Sequence, residues 1–553
     1  MFKDHPKGLY VAFFANMGER FGFYTMMAIL VLFLQAKYGL TEESAGSIYS
    51  WFYFGIYGLA LVGGLIADYT KRYKAVIMAG IIIMFAGYAL LAIHGLSLTL
   101  TVSGLFVIAF GNGLFKGNMQ AVVGQMYDDP KYSSLRDFAY LIFYMGINAG
   151  AFLAPFAATA VRNWMLQSHG FLHDASLPAL CHEVLNGTIK DPEAFRALAN
   201  HVSLNGPVEN ITQFASNYLD VFSRGYNYAF GIAALAMTLS LLVYIFFNKH
   251  LPNKYKDIQV EKSGEAVQAK MPWSEEKPRL IALGLVFFVV IFFWMSFHQN
   301  GLTLTFFARD YTVKQVGPVT NLFFTLPSLL SIIAAIAGLF LIFGKNKRLR
   351  NILGGIVLFI GGCLFSYYFV KVNGAQNSIS PEIFQSFNPL FIVSLTFIVM
   401  WFFSFLKEKG KEPSTPKKIG YGMILAAVGF SIVMMPSFSL QSPASLNGQV
   451  VSDASRVSSY WLINSYLVLT IAELFLSPMG LSFVSKVAPP RFQGLMQGGW
   501  LMATALGNKL LFVGSYFWKR IELWQLWAIF VVCCLLSAIF IFSIMKRLER
   551  VTK

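Results

Sequence analysis

Residues 8 to 34 read GLYVAFFANMGERFGFYTMMAILVLFL, an apolar run with Glu19 and Arg20 side by side near its middle. About 20 apolar residues cross roughly 30 Å of hydrocarbon, so the run is long enough to span a bilayer. A charge at that depth costs roughly 2.5 to 3.5 kcal/mol on insertion scales, which restricts such side chains to cavities or cross-helix pairs. Lys116 and Glu473 repeat the pattern in later apolar runs. The first expectation is therefore a membrane carrier with charges in its interior.

The composition agrees. The 553 residues are 56% hydrophobic and 13% charged, against about 25% charged in a soluble domain. Span-length runs fall at Leu9 to Leu34, Ser44 to Ala67, Val76 to Leu96, Leu98 to Val123, Phe138 to Val161 and Tyr226 to Phe247. A basic stretch from Asn248 to Arg279 separates them from Leu280 to Phe306, Val319 to Phe343, Ile352 to Val370, Ile383 to Leu406, Ile419 to Met435, Tyr460 to Val484, Gly494 to Phe517 and Trp524 to Met545. The expectation is an all-α protein of about fourteen spans. Residues 1–247 would form one six-helix bundle and 248–279 a cytoplasmic linker. Residues 280–553 would form a second bundle, with an inserted hairpin over 319–370. The net charge of +16 does not imply nucleic acid, because Lys and Arg gather in alternate loops, at Lys71, Arg72 and Lys74, at Lys131 and Arg136, at Lys345 to Arg350 and at Lys407 to Lys418. By the positive-inside rule those loops and both termini are cytoplasmic. The charges inside the first run distinguish it from a cleavable signal peptide.

The longest connection, 162–224, carries turn signals at Asn186-Gly187 and Asn205-Gly206-Pro207 and reads as a small helical cap on the external side. Its His169, His173, Cys181 and His182 match zinc spacing only loosely, so no metal site is expected. Two sequons, at Asn186 and Asn210, matter only in a secretory eukaryotic setting. Three of the four cysteines lie in apolar runs, so no disulfide framework is expected. Trp51, Trp164, Trp461 and Trp518, near run ends, read as an interfacial belt.

Helical spacing puts Arg20, Tyr24 and Met27 on one stripe, with Glu19 about 100° away beside Asn16. Lys116 lies in a glycine-rich stretch that lets another helix approach closely. With Arg20 it would offer a positive site for a carboxylate. Glu473 would bind an amine or carry a proton. Tyr24 and Tyr57 sit deep and need hydroxyl partners. Asn148 and Asn388 need partners too, as ligand contacts or helix-to-helix bonds. His298 is a candidate proton site, weighed against a plain packing role, and Lys509 is expected to snorkel outward.

These residues resemble the proton-dependent oligopeptide transporter family of the major facilitator superfamily. Asn16-Met-Gly-Glu19-Arg20-Phe21-Gly-Phe23-Tyr24 resembles its first-helix signature, Phe143-Tyr144-Met-Gly-Ile-Asn148-Ala-Gly150 its fifth-helix signature, and Gly63-Gly64-Leu-Ile-Ala67-Asp68 the superfamily loop between helices two and three. Gly113-Leu-Phe-Lys116, Phe293-Trp294 with Gln299, Asn388-Pro389 and Glu473 through Ser477-Pro478 follow in order. The resemblance implies two six-helix bundles rocking about a central site. It also implies a peptide carboxyl end near Arg20 and Lys116, with Tyr24 and Tyr57 alongside. The amino end would lie near Asn148, Asn388 and Glu473, with Glu19, Glu473 and His298 as proton-coupling candidates. Asn16 replaces a family glutamate, Phe23 a tyrosine and Met27 an arginine, and His298 stands where an acid is usual. The family's external gate pair is thus missing from those positions, and Lys509 or His298 is a candidate replacement.

The expected function is import of di- and tripeptides by proton symport across a bacterial inner membrane, by a monomer with no cofactor beyond the proton gradient. A carrier of another anion, nitrate or an organic acid, is the alternative in the same fold. A membrane enzyme is disfavoured because no His-Glu-x-x-His motif, Walker loop or nucleophile elbow is present.

Overall fold

The computed structural model describes residues 5–252, 271–344, 348–446, 451–489 and 492–552. Helices α1 (Gly8–Tyr38), α2 (Glu42–Thr70), α3 (Tyr73–Leu91), α4 (Leu98–Gln125) and α5 (Arg136–Ser168) lead to the short α6 (Leu177–Leu185) and α7 (Pro192–Val202), then to α8 (Ile211–Phe247). The second part contains α9 (Trp273–Phe297), α10 (Thr303–Asp310), α11 (Leu326–Phe343), α12 (Leu349–Val372), α13 (Phe387–Glu408), α14 (Thr415–Ser437), α15 (Ser459–Val487), α16 (Gln493–Lys509) and α17 (Leu523–Ser543). Among the described residues, thirteen helical stretches are long and apolar enough to cross a membrane. Residues 253–270 of the expected linker, and Lys345 and Lys347, lie outside the described residues.

Two expected spans are broken, and the breaks face each other. The run from Leu280 to Phe306 is interrupted by a tight turn at His298–Gly301 between α9 and α10. The run from Gly494 to Phe517 stops at Lys509 and resumes only as the short turn Phe512–Phe517. A break frees carbonyls that hydrocarbon cannot hydrate, so protein groups must bond them. Gln299 does so, donating through Nε2 to the Leu511 carbonyl at 3.1 Å. The sixth span also starts earlier than expected. Asn210 caps the first turn of α8, its side chain accepting from the Thr212 and Gln213 amides, and the helix begins at Ile211, well before the expected start at Tyr226.

In the first half α1 packs on α5 and α8, α3 on α4 and α8, and α2 on α4. In the second, α14 packs on α15 and α17, α9 on α16, and α13 on α15. The halves meet along α2 with α16 and along α5 with α13. Helices α11 and α12 pack on each other, and little of either spanning window is buried. The two-residue strands Gln315–Val316 and Asn377–Ser378 pair antiparallel and close the root of this hairpin. Trp51 and Trp164 are exposed, whereas Trp518 departs from the expected belt: it is 1% exposed and packs against Phe306, Tyr311 and Trp527.

The α2/α4 crossing that seats Lys116 depends on glycine. A Cβ on Gly63 would overlap the Gly113 carbonyl, and one on Gly113 would sit 2.6 Å from the Leu59 carbonyl. Both neighbours are backbone, so neither can yield without moving a helix. Gly63→Val is expected to cost about 1 to 3 kcal/mol by overpacking, read as a lower melting temperature of the detergent-solubilised protein. An unchanged melting temperature would show that the helices separate freely.

Candidate functional site

The first-half cluster forms where α1 crosses α4. Glu19 Oε1 accepts from Arg20 Nη2 at 2.6 Å, and Arg20 Nε bonds Oε2. Asn112 Nδ2 on α4 adds a bond to Oε1 at 2.7 Å. Glu19 is 0% and Arg20 4% exposed, and the guanidinium carbon lies 4.5 Å from the Phe23 ring centroid. Although the helix separates the two Cβ atoms by about 100°, the long arginine side chain folds back to close a two-pronged pair. Arg20 is therefore paired within its own helix through Nε and Nη2. Met27 and Asn16 are buried nearby on α1.

One turn beyond Asn112, Lys116 has no such partner. Its Nζ sits 3.9 Å from the Tyr57 ring centroid, and among the described residues it makes no ion pair. A desolvated ammonium on an aromatic face gains about 2 kcal/mol, less than a carboxylate would provide. In the second half Glu473 on α15 likewise makes no ion pair among the described residues. Its Oε2 accepts from Asn388 Nδ2 at 3.0 Å, and the same amide lies 3.1 Å from Thr470 Oγ1. Asn388 reaches it from the first turn of α13, where Pro389 is tolerated because the first-turn amides have no helical partner. Tyr24 and Tyr57 lie in electrostatic range of both Arg20 and Glu473, and Tyr144 in range of Glu473, Tyr24 and Tyr57. Lys116, Glu473 and these tyrosines, well inside their helices, and Asn388 all remain partly accessible. A cation and a carboxylate without ionic partners thus stand on opposite halves, with phenols between them.

The other candidates occupy the seams between halves. Asn148 donates to the Tyr144 carbonyl of its own helix at 2.9 Å and abuts Ile392 and Thr396 of α13. His298, at the break after α9, stacks on Trp294 with centroids 4.7 Å apart and meets Tyr53 of α2 edge-on at 4.6 Å. Its Nδ1 bonds Asn508 Oδ1. Lys509 Nζ lies 4.3 Å from the ring centroid of the exposed Trp51 and 3.5 Å from Ser50 Oγ, across the α2/α16 seam. In the 162–224 segment Cys181 is buried in the core, and His182 Nε2 bonds the Ala36 carbonyl at 2.8 Å.

The sequence reading missed a set of ion pairs on the face opposite the two termini. Arg162 of α5 pairs with Glu382 just before α13, both side chains fully buried. Tyr226 donates its hydroxyl to Glu382 Oε1 at 3.0 Å, and Ser380 Oγ accepts from Arg162 Nη2 at 3.0 Å. Arg309 lies 3.1 Å and Lys519 2.8 Å from Glu42, Arg520 2.8 Å from Glu43, and Lys314 2.7 Å from Asp174. Each pair joins the first half to the second. Arg162 is separated from Glu382 by 220 positions, and only its place at the end of an apolar run could have drawn attention to it.

Comparison with known proteins agrees with this architecture. The family model described as PTR2, POT family, matches residues 74–271 and 357–522, and the chain belongs to the POT family. It is 27% identical over 523 residues to the peptide transporter YePEPT of Yersinia enterocolitica, covering 92% of this chain and 87% of that one. It is 25% identical over 505 residues to dipeptide and tripeptide permease A of Chromobacterium violaceum, covering 91% and 83%. Among solved structures, a variant of the peptide transporter POT in complex with alafosfalin superposes with a TM-score of 0.67 at 22% identity, covering 100% of this chain and 97% of that one. A POT family transporter in complex with 5-aminolevulinic acid gives 0.66 at 20% identity, covering 100% and 98%. The protein is a multi-pass membrane protein of the major facilitator fold.

Two carboxylates in the spans differ in what they hold. Glu19→Gln leaves Arg20 buried without its counter-charge, at an expected cost of about 3 to 5 kcal/mol. Glu473→Gln removes an acceptor bonded only by a neutral amide and is expected to change stability by about 1 kcal/mol. Thermal unfolding of both variants checks the order. Outside the membrane, burial alone would raise the pKa of Asp174, but the Lys314 ammonium and Ser176 outweigh it and hold the carboxyl at about 2. That depression stabilises the folded state above the ordinary value of about 3.9 and is lost as pH falls from there through about 2. The stability gap between the parent and Asp174→Asn should therefore shrink between pH 5 and pH 3.

Proposed function

We propose that the protein carries di- and tripeptides across a bacterial inner membrane with protons, alternating which face is open. The observation that carries this reading is that Lys116 and Glu473 stand in spans of opposite halves and that neither makes an ion pair among the described residues. A zwitterion supplies both missing partners, its carboxylate at Lys116 and its ammonium at Glu473. The names of the relatives and the peptide-like ligands of the solved neighbours support the same substrate class. Arg20, already clamped by Glu19, contributes field rather than a free guanidinium, while Tyr24, Tyr57, Asn148 and Asn388 complete the surroundings.

Binding biases a two-state equilibrium only if the states differ in affinity. Here the ligand draws the halves together at Lys116 and Glu473, while the ion pairs on the far face hold that face shut. By the positive-inside rule the face bearing the termini is cytoplasmic, so the pairs Arg162–Glu382, Arg309–Glu42 and Lys314–Asp174 close the outer side. They stand in for the gate that Met27 and His298 cannot form. Glu473 is the leading proton carrier, since a proton there releases an ammonium; Glu19 and His298 are the other candidates. No catalytic step and no cofactor is invoked, and one chain contains the whole path.

Gradient-driven uptake of dialanine into proteoliposomes tests the reading. The parent should accumulate it under an inside-alkaline gradient and lose accumulation when that gradient is collapsed. Lys116→Ala and Glu473→Gln should each reduce uptake at least about tenfold, the worth of about 1.4 kcal/mol. Accumulation of nitrate in place of dialanine would favour the other-anion carrier, and uptake indifferent to the gradient would remove proton coupling. Glu382→Gln should raise labelling of a cysteine placed on the external ends of the spans, because the closed face loses its buried pair. Unchanged labelling would remove Arg162–Glu382 from the gate.

A further inference from the structure

A groove of about 580 Å³ runs between α5 and the root of the α11–α12 hairpin. One wall is Leu153, Phe156, Ala157 and Ala160 of α5, from the first half; the other includes Leu326 and Ile379, from the second. Both walls belong to or adjoin spanning segments, and the second wall adjoins the hairpin, little of whose apolar length is buried. The groove thus borders the exposed apolar surface of the hairpin.

Several polar residues also line it, and a number of their polar atoms are already used. Thr159 Oγ1 donates to the Pro155 carbonyl at 2.9 Å. Thr325 and Ser328 share a hydroxyl bond. Asn163 Oδ1 and Ser380 Oγ each accept from Arg162 Nη2 at 3.0 Å. The surface left to an occupant is mainly apolar. Water has too few partners in such a site, while an empty void of this size would forfeit the dispersion contacts that interiors normally make. Its volume falls in the range of about 300 to 1,000 Å³ that suits ligands larger than solvent.

We infer that this groove holds one acyl chain of a membrane phospholipid. The chain lies against residues of both halves and directly over Asn163 and Ser380, which orient the guanidinium of the buried Arg162–Glu382 pair. It keeps water from that pair and ties the closed face to the surrounding lipid. The inference rests on the membrane location of the fold and not on the identity of the transported substrate.

Native mass spectrometry of the full chain, released from phosphatidylethanolamine and phosphatidylglycerol nanodiscs, tests it. Ala160 is exposed in the groove wall, so Ala160→Trp fills the space without disturbing the core. The parent should retain about one phospholipid more than Ala160→Trp. A phospholipid with a diazirine on its acyl chain should label peptides covering 153–163 and 378–383 in the parent at least about fivefold more than in the variant. Equal retention with equal labelling would overturn the inference, as would groove labelling by a detergent probe that phospholipid does not compete away. Should Ala160→Trp fail to give a monodisperse protein, the site of labelling in the parent decides alone: label spread evenly around the belt overturns the proposal.

Discussion

Every ionised group inside this protein is governed by the cost of holding charge away from water. A buried pair returns that cost only when geometry is good and the remaining donors and acceptors are met. Glu19 with Arg20 and Asn112 is built this way, whereas Arg162 with Glu382, Tyr226 and Ser380 is bonded through Oε1 and leaves the buried Oε2 of Glu382 without a hydrogen-bond partner among the described residues. Beside those groups, Lys116 and Glu473 stand out as charges that, among the described residues, have a ring and an amide for company and no ion pair. The interior is therefore divided between pairs that fix structure and single charges that await a complement.

The geometry of the two seams follows from the same economy of polar groups. Breaking α9 from α10 and ending α16 early leaves carbonyls free within the membrane, and Gln299 bonds across both breaks. His298, Asn508 and Lys509 cluster there and contact Tyr53, Ser50 and Trp51 of α2 through hydrogen bonds and ring contacts. Contacts of this kind, none of them an ion pair, separate at lower cost than buried ion pairs do. The seam beside the broken helices is thus the softer one, and the ionic face is the firmer.

Much of this was legible in the residues. Span lengths follow directly from apolar runs, and the unusual charges marked Glu19, Arg20, Lys116 and Glu473 because so few side chains of that type occur at such depth. The helical wheel placed Glu19 and Arg20 apart, since it tracks Cβ atoms and ignores the reach of a guanidinium, so the closure of that pair was hidden. The breaks at His298 and Leu510 were hidden as well: hydropathy registers burial in lipid and is silent on whether the backbone ladder continues. Arg162 and Glu382 come together only through the docking of the two halves, a relation that no local spacing encodes.

The hairpin α11–α12 touches mainly itself. Gly338 and Gly355 let its two backbones approach so closely that a Cβ on Gly338 would lie 2.5 Å from the opposite carbonyl, and a short strand pair pins its root. Such a unit adds an even number of crossings and leaves the course of the following helices unchanged. Selection on its outer surface reduces to keeping oil-loving side chains of any shape. Its sequence is free to drift faster than that of the bundles, and an unrelated helical pair grafted at the same root would leave the carrier's internal geometry intact.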